Sequence, residues 1–71
     1  MPIVNQDADN DLKTYIKCMI TPGGSAACYR IECRHGLDGY APDAAMVGLK
    51  AISEGREPHA EIESYYRDSH I

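Results

Sequence analysis

The cysteines and histidines are the side chains whose chemistry would be most specific in this chain. Cys28, Cys33 and His35 lie close together, and Cys18 precedes them. A structural zinc site needs four ligands that converge as a tetrahedron, and proteins usually supply them from C-x2-C pairs. Here the spacing is Cys-x4-Cys-x-His, and a strand through these residues would point Cys28 away from the other three. We therefore expect no metal and no cofactor, and a zinc-stabilised domain stays an alternative.

Nucleophilic catalysis would need a thiol or a hydroxyl beside a base. His35, His59 and His70 supply bases, and Cys33 lies two residues from His35. A chain of 71 residues has few side chains with which to enclose a pocket that excludes water. We expect that the protein is not an enzyme.

Charge is the next feature that could direct a partner. Seven basic side chains against eleven acidic ones give a formal net charge of −4. Lysine and arginine predominate in 12–35, whereas carboxylates predominate in 1–11 and 36–71. The acidic segments could imitate nucleic-acid phosphates and attract a basic partner, but acidic helices also keep small proteins soluble. We therefore place the interaction on the basic segment.

The elements that must position these residues follow from the period of the apolar positions. Apolar and polar residues alternate in 12–20 and again in 27–33, and a Pro-Gly-Gly-Ser turn separates the two stretches. This pattern predicts a β-hairpin over 12–35, in which Lys17 lies opposite Arg30. Like charges opposite each other are destabilising, so the charged face should bind an anionic partner, with an ordinary solvated face as the alternative. The predicted partner-binding residues are Lys13, Tyr15, Lys17, Arg30, Glu32 and Arg34.

The rest of the chain predicts helices. Pro42 suits the first position of a helix over 42–54, and Pro58 begins a second, shorter helix over 58–68. Residues 1–11 form an acidic arm. The predicted fold is a single α+β domain, in which an antiparallel sheet of two or three strands has one face covered by the first helix. The predicted core residues are Ile16, Cys18, Ile20, Tyr29, Ile31, Met46, Leu49 and Ile52.

Chain length and the absence of targeting signals limit the possible functions further. No apolar run approaches the roughly 20 residues that span a bilayer, and the first residues lack the basic start and apolar stretch of a signal peptide. We expect a cytoplasmic protein without a membrane partner. A domain this small is marginally stable, so a partner or a homodimer would add stability.

The hairpin at 15–20 and 27–33, followed by the segment Pro-Asp-Ala-Ala-Met-Val-Gly-Leu-Lys-Ala-Ile at 42–52, resembles small phage-encoded anti-CRISPR proteins. Those aimed at type I systems include compact sheet-plus-helix forms. The resemblance covers about residues 12 to 55 in size, order of elements and charge.

That resemblance implies a stoichiometric inhibitor in the bacterial host cell. It would bind a CRISPR surveillance complex or its nuclease, and block recognition of target DNA or recruitment of the nuclease. We therefore expect a non-enzymatic protein-binding module. The alternative is a nucleic-acid-binding module that uses the basic face, whose affinity would fall steeply with salt.

Overall fold

The computed structural model describes residues 3–69 and folds them into four helices. Helix α1 spans Gln6–Met19, α2 spans Ser25–Arg34, α3 spans Pro42–Ser53 and α4 spans Pro58–Ser69. The described residues contain no strand, so the predicted β-hairpin is wrong and the fold is all-helical instead of α+β.

Helix α1 begins inside the segment that we predicted as an acidic arm. The side chain of Asn5 accepts a hydrogen bond from the backbone N–H of Ala8 at 3.0 Å and so caps the helix. Asp7 and Asp9 lie in the first turn and Lys17 in the last, which is the favourable arrangement for the helix dipole. These local signals stabilise a helix through residues that also alternate in hydrophobicity.

The Pro-Gly-Gly-Ser turn joins two helices instead of two strands. Gly23 has a φ of 79°, a conformation that glycine adopts without steric cost. Gly24 precedes α2, and a Cβ there would overlap the backbone carbonyl of Cys18. The glycines therefore allow α2 to fold back tightly against the end of α1, and we call this pair of helices the α1–α2 hairpin.

Helices α3 and α4 occupy the segments that we predicted as helical. Pro42 takes an N-terminal position of α3, and Asp43 lies in its first turn. Gly48 is buried, and a Cβ there would lie 2.9 Å from Cδ2 of Leu37 and 3.0 Å from Cδ1 of Ile62. This glycine therefore allows the close approach of α3 to α4 and to the loop before α3.

The core lies around α3, which packs against both α1 and α4, whereas α2 packs mainly against α1. The largest fully buried side chains are Tyr15, Leu37, Leu49 and Ile62. None of the described helices is long and apolar enough to cross a membrane.

The predicted core is correct only in part. Ile31 and Leu49 are buried, and Cys18, Met46 and Ile52 pack at the edge of the core. Ile16, Ile20 and Tyr29 are instead exposed, because the strand period placed them on the wrong side of what are helices.

Candidate protein-binding groove

A concave surface lies on the α1–α2 hairpin, near its turn. This groove has a volume of about 760 Å³. Helix α1 contributes Tyr15, Cys18 and Met19 to it. Its other lining residues are Thr21, Gly23, Gly24, Ser25, Ala26, Cys28, Tyr29, Glu32 and Pro42.

The groove is open because α3 packs mainly against α1 and α4 and covers little of α2. Two large side chains on its walls are consequently exposed. Tyr29 is 59% exposed and Met19 is 39% exposed. The groove therefore combines apolar walls with free access for a partner.

A partly buried hydrogen bond joins the two walls. The hydroxyl of Tyr15 donates to Oε2 of Glu32 at 2.6 Å, and the Cys28 thiol lies 3.8 Å from the backbone carbonyl oxygen of Tyr15. Burial and the bond to Glu32 raise the pKa of Tyr15, so the phenol stays protonated and keeps donating. Tyr15 is fully buried and offers no side-chain surface to a partner, in contrast to its predicted role.

The four predicted cations are exposed on the hairpin, but two of them are paired. Lys13 lies 3.1 Å from Asp9, and Arg34 lies 2.9 Å from Asp11. Within residues 3–69, neither of the other two cations forms an ion pair. Those two are Lys17 and Arg30.

Neither of these two cations lines the groove. Lys17 follows Tyr15 by two residues, and Arg30 precedes Glu32 by two, which is a rotation of about 200° around each helix. They therefore lie on the side opposite the Tyr15–Glu32 bond. We call this side, with Lys13, Lys17, Arg30 and Arg34, the outer face. The predicted repulsion of Lys17 and Arg30 across a strand pair does not exist, because no strands pair there.

The groove itself carries negative charge. Glu32 lines it, and neither lysine nor arginine does. The neighbouring Cys33 thiol, together with the carboxylates of Asp38 and Glu32, raises the pKa of Tyr29. Asp43 contributes to the raised pKa of Tyr15. Its carboxylate also accepts a hydrogen bond from the Tyr65 hydroxyl at 2.6 Å. One carboxylate, that of Glu32, thus lines the groove, and those of Asp38 and Asp43 act on the phenols of Tyr29 and Tyr15.

A second cluster closes the far end of the α1–α2 hairpin. Arg34 donates to both carboxylate oxygens of Asp11 at 2.9 Å, and Nε2 of His35 lies 2.8 Å from Oδ2. Burial raises the pKa of Asp11, but the hydrogen bonds from His35 and Arg34 outweigh it and leave the pKa below the ordinary value. His35 is thus directed at Asp11 and not at Cys33, which is exposed on α2.

The positions of two cysteines differ from the prediction. Cys18 and Cys28 both line the groove, although strand alternation would have separated them. Burial, and then the neighbouring Cys18, raise the pKa of the Cys28 thiol. In the part of the chain that the structure describes, no three His, Cys, Asp or Glu side chains converge on a metal position. His70 lies outside the described residues.

A smaller cleft of about 230 Å³ lies between the loop before α3 and α4. There the Tyr40 hydroxyl lies 2.7 Å from Nδ1 of His59, and Tyr66 is partly exposed beside them. No thiol or serine hydroxyl lines this cleft.

No known protein family, curated protein or solved structure matches this chain. Sequence reasoning missed Met19 and Pro42 as groove residues and placed Tyr29 in the core. Helical spacing was the signal that would have found the α2 wall, because Ser25, Cys28, Tyr29 and Glu32 follow one face at i, i+3, i+4 and i+7.

Proposed function

We propose that this chain is a non-enzymatic protein-binding module whose contact surface is the groove of the α1–α2 hairpin. The observation that carries the proposal is the exposure of Tyr29 and Met19 on the groove walls. Tyrosine is enriched among the residues that dominate binding energy, and methionine adapts to irregular apolar surfaces. Covering them with a partner would remove apolar surface from water.

The shape of the groove suits a helix of the partner. Its α2 wall runs from Ser25 to Glu32, about 10 Å at 1.5 Å per residue. That length corresponds to two helical turns. A partner helix could place apolar anchors at i and i+4 against Met19 and Tyr29, as in other helix-in-groove complexes.

The positions of Cys33 and His35 argue against nucleophilic catalysis by this pair. His35 is held by Asp11, and Cys33 projects from another side of α2, since two residues correspond to about 200° of helix rotation. Nucleophilic catalysis requires the nucleophile and the base to be within hydrogen-bond reach. These two side chains do not meet that condition.

A phage anti-CRISPR inhibitor is the most concrete form of this proposal. The order of elements behind that resemblance included a β-hairpin, which residues 3–69 do not contain. The small size and the acidic charge remain as its support. Expression of the chain in bacteria that carry a type I CRISPR system, followed by phage plaque counts, tests it. An inhibitor would restore plaques, and unchanged interference would exclude this form for the system tested.

Nucleic-acid binding by the outer face has weaker support. Asp9 and Asp11 neutralise Lys13 and Arg34, which leaves Lys17 and Arg30 to contact phosphates. Binding by two cations would give a shallow salt dependence, because the slope scales with the phosphates neutralised. A gel shift with duplex and single-stranded DNA at two salt concentrations measures it.

The groove proposal is tested by capture from a bacterial lysate and reconstitution with the purified partner. Tyr29→Ala and Met19→Ala should each weaken binding by about tenfold or more, the usual effect at an interface centre. Tyr66→Ala, which removes a tyrosine from α4, is the matched control and should leave binding unchanged. Equal losses for Tyr29→Ala and Tyr66→Ala, or no loss for either, would contradict the proposal.

A further inference from the structure

We infer that the segment bound in this groove is a cationic amphipathic helix, an inference that rests on the proposed function. It names the chemistry of the partner: apolar side chains on one face, with lysine or arginine beside them. Three observations support it. A carboxylate lines the groove, the chain's own cations lie outside it, and Glu32 has an oxygen that can accept a further hydrogen bond.

The charged side chain that lines the groove is an acid. Glu32 lines the groove, and the carboxylates of Asp38 and Asp43 act on the phenols of Tyr29 and Tyr15. An acidic partner would bring like charges together in a partly desolvated site, which costs affinity, whereas a basic partner would be attracted.

The chain's own cations do not offset this charge. Lys17 and Arg30 lie on the outer face, about 200° around their helices from Tyr15 and Glu32. Neither of these cations lines the groove, and the net charge of −4 adds to the attraction of a cation.

Glu32 is placed to contact such a cation. Its Oε2 accepts the Tyr15 hydroxyl at 2.6 Å, and no side chain of residues 3–69 donates to its Oε1. A lysine or arginine one helical turn from the apolar anchors could donate to Oε1 from the rim of the groove. The Tyr15 bond fixes the carboxylate and so lowers the entropy cost of that contact.

A second copy of this chain fits the groove less well. A twofold contact through the same surface would bring two acidic grooves, and so two Glu32 carboxylates, into one interface. Sedimentation at increasing protein concentration measures whether the protein dimerises. A dimer that disappears in Tyr29→Ala would overturn the inference, and a monomer throughout supports it.

The direct test uses two synthetic helical peptides with the same leucine pattern and one tryptophan on the apolar face. One carries lysine and the other glutamate at every polar position. The protein contains no tryptophan, so the fluorescence of the peptide reports binding. We expect the lysine peptide to bind at least about tenfold more tightly than the glutamate peptide, and to shift the NMR signals of Met19 and Tyr29.

Three variants locate that binding on the groove. Glu32→Gln keeps an oxygen for the Tyr15 hydroxyl and should weaken binding of the lysine peptide severalfold, as should Asp38→Asn, which changes an exposed carboxylate. Glu63→Gln on α4 is the matched control and should bind as the unchanged protein does. Tyr29→Ala should also weaken binding of the lysine peptide, because it removes an apolar wall of the groove.

The outcomes separate the inference from the proposed function. Tighter binding of the glutamate peptide, or lysine-peptide binding that is indifferent to Tyr29→Ala and Glu32→Gln, would overturn the inference. The proposed function would survive both results if the natural partner still requires Tyr29. It would fail by itself if that partner binds Tyr29→Ala as well as the unchanged protein.

Discussion

Helices α2 and α3 have similar lengths, of 10 and 12 residues, but very different surroundings. α3 packs against two helices, and six of its residues are buried. α2 packs mainly against α1, and only Cys28 and Ile31 are buried on it. The open side of α2 is the wall of the groove.

This difference separates stability from binding within one small domain. Side chains around α3 contribute to the free energy of unfolding because water is excluded from them on several sides. Tyr29 on α2 contributes little to folding because most of its surface stays in water. It is therefore available to a partner. Substitutions in α3 should lower the free energy of unfolding, whereas substitution of Tyr29 in α2 should weaken partner binding.

The largest effect is expected at the centre of α3. Leu49 is fully buried, and Leu49→Ala should lower the free energy of unfolding by about 2–5 kcal/mol through lost burial and a cavity. That is a large part of the stability of a small domain. Urea unfolding followed by circular dichroism measures it. Ile20→Ala, at a side chain that is 79% exposed, is the control and should change the midpoint very little.

The next effect is expected at Gly48. A Cβ in Gly48→Ala would press on Leu37 and Ile62, both of which are buried and have little room to move. Overpacking costs about 1–3 kcal/mol, and the better helix propensity of alanine returns at most about 1 kcal/mol. We expect a net loss of about 1 kcal/mol in urea unfolding. Gly39→Ala, where a Cβ meets nothing within 4 Å, should not be destabilising; a loss there equal to that of Gly48→Ala would contradict the packing argument.

A smaller, pH-dependent effect is expected where α2 is tied to α1. The folded-state pKa of Asp11 lies below its ordinary value of 3.8, so its contribution to stability is present above that pH and is lost as the pH falls through the folded-state pKa. Asp11→Asn should be less stable than the unchanged protein at neutral pH and lose less stability on acidification. Thermal unfolding between pH 7 and pH 2 measures both. Asp7→Asn, an exposed carboxylate in the first turn of α1, should retain the acid sensitivity of the unchanged protein.

The smallest effect on stability is expected in the groove. Tyr29→Ala should change the free energy of unfolding by less than about 0.5 kcal/mol, because the side chain is mostly exposed. The same variant should lose partner binding. A strongly destabilised Tyr29→Ala would remove the distinction between α2 and α3, and thermal unfolding decides this before any binding experiment.

The contrast between α2 and α3 also explains where sequence reasoning succeeded. In α3, Pro42 and Asp43 mark the start, and Ala45, Leu49 and Ile52 follow a helical stripe. No alternation competes with that pattern. The segment was therefore assigned as a helix from local signals alone.

The segment 12–35 carries two periods at once. Leu12, Ile16 and Ile20 fit a strand, but Leu12, Tyr15 and Met19 fit a helical face equally well. The decisive signals were the Asn5 cap and the acidic first turn, and both lie in the residues that we predicted as a solvated arm. The turn that follows suits a helical hairpin as well as a β-hairpin, so it could not resolve the ambiguity.

Local sequence thus determined α3, its proline start and the position of the turn, because capping, dihedral preference and a single hydrophobic period act over a few residues. The burial of Tyr15 and the exposure of Tyr29 depended on the tertiary structure. They follow from α3 packing between α1 and α4 while α2 packs mainly against α1, and long-range packing of that kind leaves no mark on residues within a turn of each other.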